Sequence, residues 1–248
     1  MRKPPVLRPD DDAISIGRVF GTPLMIKGLT WFPLTQCIVW GIMSWIAGKT
    51  RPGRSLVERM RIAAFTMPAV LGSEWGHNLA HVAAANWIGK PMDAIRITWG
   101  MPLCVYYDIN DAAVTPRQHI LRAMGGPLFN FMLLPISIAV QRLSPKDSIS
   151  REVASVSMAT NTFLSTVSLL PIPGIDGGPI LKWSLVERGC TVEEADQVIR
   201  KVDGGLGIAL SFLSRAAISR GKRFIGVLSA LLAVLSFGVA FGWIREQD

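Results

Sequence analysis

Four stretches of the chain, residues 28–48, 123–141, 153–175 and 224–244, contain no Asp, Glu, Lys or Arg. Each is long enough, at about 1.5 Å of rise per residue, to cross a hydrocarbon core of about 30 Å. A fifth stretch, 62–89, holds one acid and two histidines, and Pro68 and Gly72 are expected to interrupt it. So many long uncharged runs do not fit a soluble fold. They predict a polytopic membrane protein.

Between these runs the pattern changes. Residues 1–27 read as a polar arm with a short extended piece from Arg18 to Ile26, and residues 28–248 as a single membrane-embedded domain. Residues 49–61 form a basic loop broken at Pro52 and Gly53. The runs Ala94–Thr98 and Leu103–Tyr107 are rich in β-branched and aromatic residues, with Gly100 and Pro102 between them, and predict an interfacial β-hairpin. Pro116 starts a span reaching about Leu143, and another runs from about Glu152 to Leu170. Thr191-Val-Glu-Glu194 is a capping-box pattern that predicts a short amphipathic helix. Gly204–Ser219 is a weak span and Phe224–Ile244 a strong one. The expected fold class is all-α and polytopic, with about six transmembrane helices and the short hairpin.

Composition adds little to this until charge is placed along the chain. Half of the 248 residues are hydrophobic and the formal net charge is +8. The basic residues fall between apolar runs, without a groove of interleaved exposed aromatics. They therefore point to anionic lipid headgroups and exclude nucleic acid as the economical partner. Cys37, Cys104 and Cys190 form no Cys-x-x-Cys pair, which argues against a zinc ribbon or a disulfide framework. The acidic run Asp10-Asp11-Asp12 is unlike a secretory leader, so the first span is expected to be an uncleaved anchor.

Ionisable groups inside a span are costly and default to a functional reading. Glu74, His77 and His81 sit at offsets of three and seven, which places them on one face of a helix. Asp176 follows Pro171-Ile-Pro173-Gly174-Ile175, where prolines and glycines unwind the helix. Irregular backbone at membrane depth is tolerated where it is buried in protein or lines a wet cavity. A carboxylate on such a turn suits a metal. Asn130 is a further polar point within a span.

These motifs resemble a known family. Glu74-Trp-Gly-His77 is similar to the tail of the His-Glu-x-Gly-His motif of site-2-type intramembrane metalloproteases. Gly126-Pro127-x-x-Asn130 resembles that family's third-helix motif. Asn161 with Leu170-Pro-Ile-Pro-Gly-Ile-Asp176-Gly-Gly178 resembles its Asn…Pro-x-Pro-x-x-Asp-Gly-Gly motif. The resemblance runs over roughly the whole chain, in the compact form without an appended soluble domain. It implies that His77 and Asp176 are zinc ligands, that Glu74 is the general base acting on water, and that Asn130 lines the site and helps hold the substrate backbone.

The chain departs from the family at the first ligand position, which is Ser73. A neutral hydroxyl is a poor zinc ligand beside imidazole. Three arrangements stay open. His81, spaced i, i+4 from His77, replaces the missing ligand. Alternatively Glu74 becomes a ligand, and the base is consumed. In the third, no metal binds and the chain is a pseudoprotease that grips membrane segments.

The expected function is peptide-bond hydrolysis within transmembrane segments of single-span membrane proteins. The alternative is an inactive relative that binds such proteins. Plainer readings stand beside these: histidines that bond neighbouring helices, an Asp176 that caps the next turn, a solvated His119, and glycines at 125 and 126 that allow close helix packing. A transporter predicts repeated halves, and the sequence has no repeat.

Overall fold

A computed structural model describes residues 13–244; the acidic run Asp10–Asp12 lies outside them. The chain is mostly helical with a small sheet, and it divides into two compact units. The first comprises residues 13–109 and 124–167. The second comprises residues 110–123 and 168–244.

In the first unit, β1 (Ala13–Val19) and β2 (Thr22–Lys27) form a hairpin. Phe20 and Gly21, at φ +48° and +80°, make the two-residue turn whose positive φ values match strand twist. The expected polar arm therefore contributes two strands. Ile14 and Ile16 point outward, which hides the alternation that marks a half-buried strand. β3 (Ala94–Thr98) and β4 (Met101–Val105) are the expected hairpin, and β2 joins them by parallel pairing with β3. The result is a four-stranded sheet in the order β1-β2-β3-β4, rather than an isolated hairpin.

Four helices complete this unit: α1 (Leu34–Thr50), α2 (Leu56–Trp87), α4 (Ile149–Thr166) and the larger part of α3 (Pro116–Leu143). α2 is continuous through Pro68 and Gly72, where a break was expected. It also starts earlier than its apolar run, because Ser55 and Glu58 close a capping box. Its far end packs Val82 and Ala85 against Met92 and Ile95, with Leu24 and Cys104 beside them, so the sheet is fixed to α2. At the other end, Arg51 Nη2 lies 2.7 Å from Asp147 Oδ1 and Arg54 pairs with Glu152. The basic loop thus ties two helix ends of the unit together as well as facing its surroundings.

The second unit holds the start of α3, then α5 (Gly177–Glu187), α6 (Val192–Ser219) and α7 (Arg223–Ala240). α5 was not expected. The capping box at Thr191 and Glu194 is formed, but the helix it starts runs unbroken through Gly204 and Gly205. α6 and α7 pack closely: a Cβ at Gly207 would press on the Phe237 ring at 2.9 Å.

Among the described residues, α3 and α7 are long and apolar enough to cross a membrane by length and composition. Their polarity is inverted relative to a soluble core. α7 buries Gly226, Ser229, Ala233 and Ser236, and exposes Phe224, Val227, Leu231 and Val234. α3 buries Asn130 and Ser137 while exposing Phe131, Met132 and Ile136. Large apolar groups outside and small or polar groups inside suit a lipid surround. With these two helices, the pattern points to a membrane protein.

Candidate metal centre

The centre of the first unit is polar and buried. His77 and His81 project from one face of α2, four residues apart, at 7% and 6% exposure. Their Nε2 atoms are 3.1 Å apart and their rings stand edge-on, at 80°. Two imidazole nitrogens bound to one tetrahedral zinc, each at about 2.0–2.1 Å, are separated by roughly 3.3 Å. The pair therefore fits a metal. It equally fits one hydrogen bond between the rings.

The imidazoles meet the backbone of α3 at Gly126. A Cβ there would collide with Nε2 of both rings, and the Gly126 amide faces His81 Nδ1 at 3.3 Å. Gly125 beside it lies over the Ala80 carbonyl, where a Cβ would sit at 2.6 Å. Both glycines thus allow the close helix approach expected of them, and Gly126 also makes the space at the ring nitrogens.

Asn130 is fully buried one turn further along α3. Its Oδ1 lies 2.5 Å from His77 Nδ1, and its Nδ2 donates to Asn161 Oδ1 at 2.7 Å and to the Ser73 carbonyl at 3.3 Å. The side chain expected to hold a substrate backbone is thus engaged with an imidazole, a second amide and a carbonyl. That arrangement orients His77. Asn161, on α4, is also fully buried. The sequence offered it only as part of a motif; its signal was a lone carboxamide inside a charge-free run.

Ser73 is buried, and its hydroxyl donates to the Ala69 carbonyl at 2.8 Å, one turn back on α2. This is the usual helical back-bond of a serine. The Ser73 hydroxyl is thus committed to its own helix. Glu74 is half-buried. Asn78 Nδ2 donates to its backbone carbonyl at 3.0 Å and to its Oε1 at 3.3 Å, and the Cys104 thiol of β4 donates to Asn78 Oδ1 at 3.4 Å. Asn78 was not singled out for this role by sequence, because polar residues one turn apart on a helix are ordinary.

In the second unit, Asp176 immediately precedes α5 and makes no side-chain capping bond to it, so capping is not its role. The turn before it is tight. Ile172 N donates to the Leu170 carbonyl at 2.7 Å, and Ile175 N to the Ile172 carbonyl at 3.0 Å. A Cβ on Gly177 would strike the carbonyls of Leu169 and Leu170. The Pro-rich Asp-Gly-Gly segment is therefore a rigid mount for its carboxylate. His119 is not solvated: it is buried, stacked on Trp183 with ring centroids 3.8 Å apart, and Arg122 Nη2 donates to its Nδ1 at 2.7 Å. Lys182, at 1% exposure, pairs with Asp196 at 2.9 Å.

No family model and no curated protein matches the chain. Among solved structures, it is similar to the Site-2 Protease from Methanocaldococcus jannaschii, with a TM-score of 0.54 and 12% sequence identity. The match covers 95% of this chain and 97% of that one. At this identity the likeness establishes the fold, a site-2 protease-like fold, and not the chemistry.

Proposed function

We propose that this chain is a multi-pass intramembrane metalloprotease-like protein that hydrolyses peptide bonds within transmembrane segments of single-span membrane proteins. The observation that carries the reading is the buried imidazole pair of His77 and His81, with Nε2 atoms 3.1 Å apart and Glu74 on the preceding turn of α2. The site-2 protease-like fold and the order of the three sequence motifs support it.

In this reading His77, His81 and Asp176 hold zinc, the three protein ligands a catalytic site needs. When bound, zinc supplies Lewis-acid polarisation of the scissile carbonyl and acidifies water. Glu74 takes the proton of the attacking water and returns it to the leaving amine. Asn78 holds the Glu74 carboxylate, and β4, at one edge of the sheet, takes up an extended stretch of substrate by strand addition. The low-dielectric surround strengthens each polar contact once water is excluded.

Ser73 favours a second reading, a pseudoprotease that binds membrane proteins without cutting them. Zinc analysis of the purified full chain in detergent separates the two. The protease reading expects about one equivalent per chain. That content should fall in Asp176→Ala and His77→Ala and persist in Glu74→Gln, which should lose cleavage of an identified substrate. A wild-type chain without zinc that gains it in Ser73→His would instead establish the pseudoprotease.

A further inference from the structure

The buried amides of the first unit have an orientation that cannot be reversed. Asn161 Nδ2 donates to the Ser157 carbonyl at 2.8 Å. A backbone carbonyl only accepts, so this contact fixes which end of the Asn161 carboxamide is nitrogen. Its Oδ1 must then face Asn130, whose Nδ2 donates to it at 2.7 Å. A second carbonyl, that of Ser73, independently accepts from the same Asn130 Nδ2 at 3.3 Å. With both amides set, Asn130 Oδ1 is what meets His77 Nδ1, at 2.5 Å. An amide oxygen only accepts, so Nδ1 must carry the ring proton.

We propose that Asn161 and Asn130 form an amide relay that holds the His77 proton on Nδ1 and so makes Nε2 the lone-pair nitrogen, the one that faces His81. Asn161 and Asn130 are positioning residues. The relay starts on α4, crosses α3 and ends on α2, so it also fixes the rotation of the imidazole about its own axis. An imidazole ligand generally needs its other nitrogen hydrogen-bonded to set the tautomer and orient the ring. Here the partner is a neutral amide whose direction is set two residues away. The consequence for metal binding rests on the metalloprotease reading; the position of the proton does not.

The chain contains three histidines, at 77, 81 and 119, so its imidazole signals can be assigned by single substitution. The experiment is 15N spectroscopy of histidine-labelled full-length protein in detergent, treated with chelator, at a pH of about 8 where imidazole is neutral. His77 in the wild type should be in the Nδ1–H form. Asn161→Leu should convert it to a mixture with the Nε2–H form, with the His119 signals unchanged as the control for folding. Adding Asn130→Asp to Asn161→Leu should restore Nδ1–H, because a carboxylate accepts from Nδ1 whatever Asn161 does. Zinc affinity, read with zinc alone, should fall about 10–100-fold in Asn161→Leu. A wild-type His77 found in the Nε2–H form overturns the relay even if every variant misfolds. So does an Asn161→Leu protein whose tautomer and zinc affinity match the wild type. A wild type in the Nδ1–H form that takes up no zinc leaves the relay standing and removes the protease reading.

Discussion

Gly126 and Ser73 show how differently single residues disclose themselves. The i, i+4 spacing of His77 and His81 is readable from the sequence because a helix allows one geometry for it. Gly126 reads only as a small residue in a packed helix. Its specific demand, room for two ring nitrogens, depends on a helix 45 residues away in sequence. We expect Gly126→Ala to destabilise the chain by about 1–3 kcal/mol through overpacking and to rotate both imidazoles out of register. Thermal unfolding in detergent and zinc content check the two effects. Gly72→Ala is the control: a Cβ there meets nothing within 4 Å, and alanine is the better helix former. A Gly126→Ala chain as stable as Gly72→Ala would mean that the two helices are not so closely apposed. Asn161 reads in the sequence only as a motif residue for a related reason, since the value of a carboxamide lies in the carbonyl that fixes its direction.

At the scale of elements, the sequence announced those whose signal is local. The 94–105 hairpin and the capping box at Thr191 are legible because turn and cap chemistry act within a few residues. The apolar pattern alone starts α2 too late, because its first turn is charged and the Ser55–Glu58 box that starts it lies before the apolar run. That box is also pH-sensitive. The Ser55 backbone N–H and hydroxyl donate to Glu58 Oε2 at 2.7 and 2.9 Å and hold its carboxyl below the ordinary value of 4.5. Glu58 lies outside the apolar run 62–89. A depressed acid contributes stability that is present above its ordinary pKa and is lost as pH falls through the folded value. The protection factors of amides in the first turn of α2, measured against the intrinsic rate at each pH, should therefore fall below pH 4.5, with the middle of the helix still protected. Ser55→Ala should weaken that dependence, since it removes the hydroxyl donor. A protection factor indifferent to pH in this turn would argue against the box. The segment Arg18–Ile26 reads as no more than a short extended piece, because the contact that makes it part of a sheet, the parallel pairing of β2 with β3, is long-range.

At the scale of the whole molecule the membrane character is legible, because charge-free runs survive any error in where helices begin, and α3 and α7 carry it among the described residues. What the sequence leaves open is which ends share a side of the membrane, and the polar contacts of the first unit bear on that. Arg51 and Arg54, in the loop between α1 and α2, pair with Asp147 and Glu152, between α3 and α4 and on the first turn of α4. Arg151 Nη1 also donates to the Gln141 and Ser144 carbonyls, closing the α3–α4 corner. These groups hold four helix ends in one polar layer, and charged groups of this kind belong at the interface or beyond it. α3 has 28 residues, so at about 1.5 Å per residue it spans roughly 42 Å, and its Pro116 end must emerge opposite its Leu143 end if it crosses. In a background lacking the native thiols, single cysteines at Gly53 and Asp147 should react together with a membrane-impermeant maleimide in sealed vesicles. A cysteine at Asp111, before the start of α3, should react from the opposite side to these two. Labelling of 53 and 147 from opposite sides would break the ion-paired layer, and labelling of 111 from the same side as 147 would show that α3 does not cross.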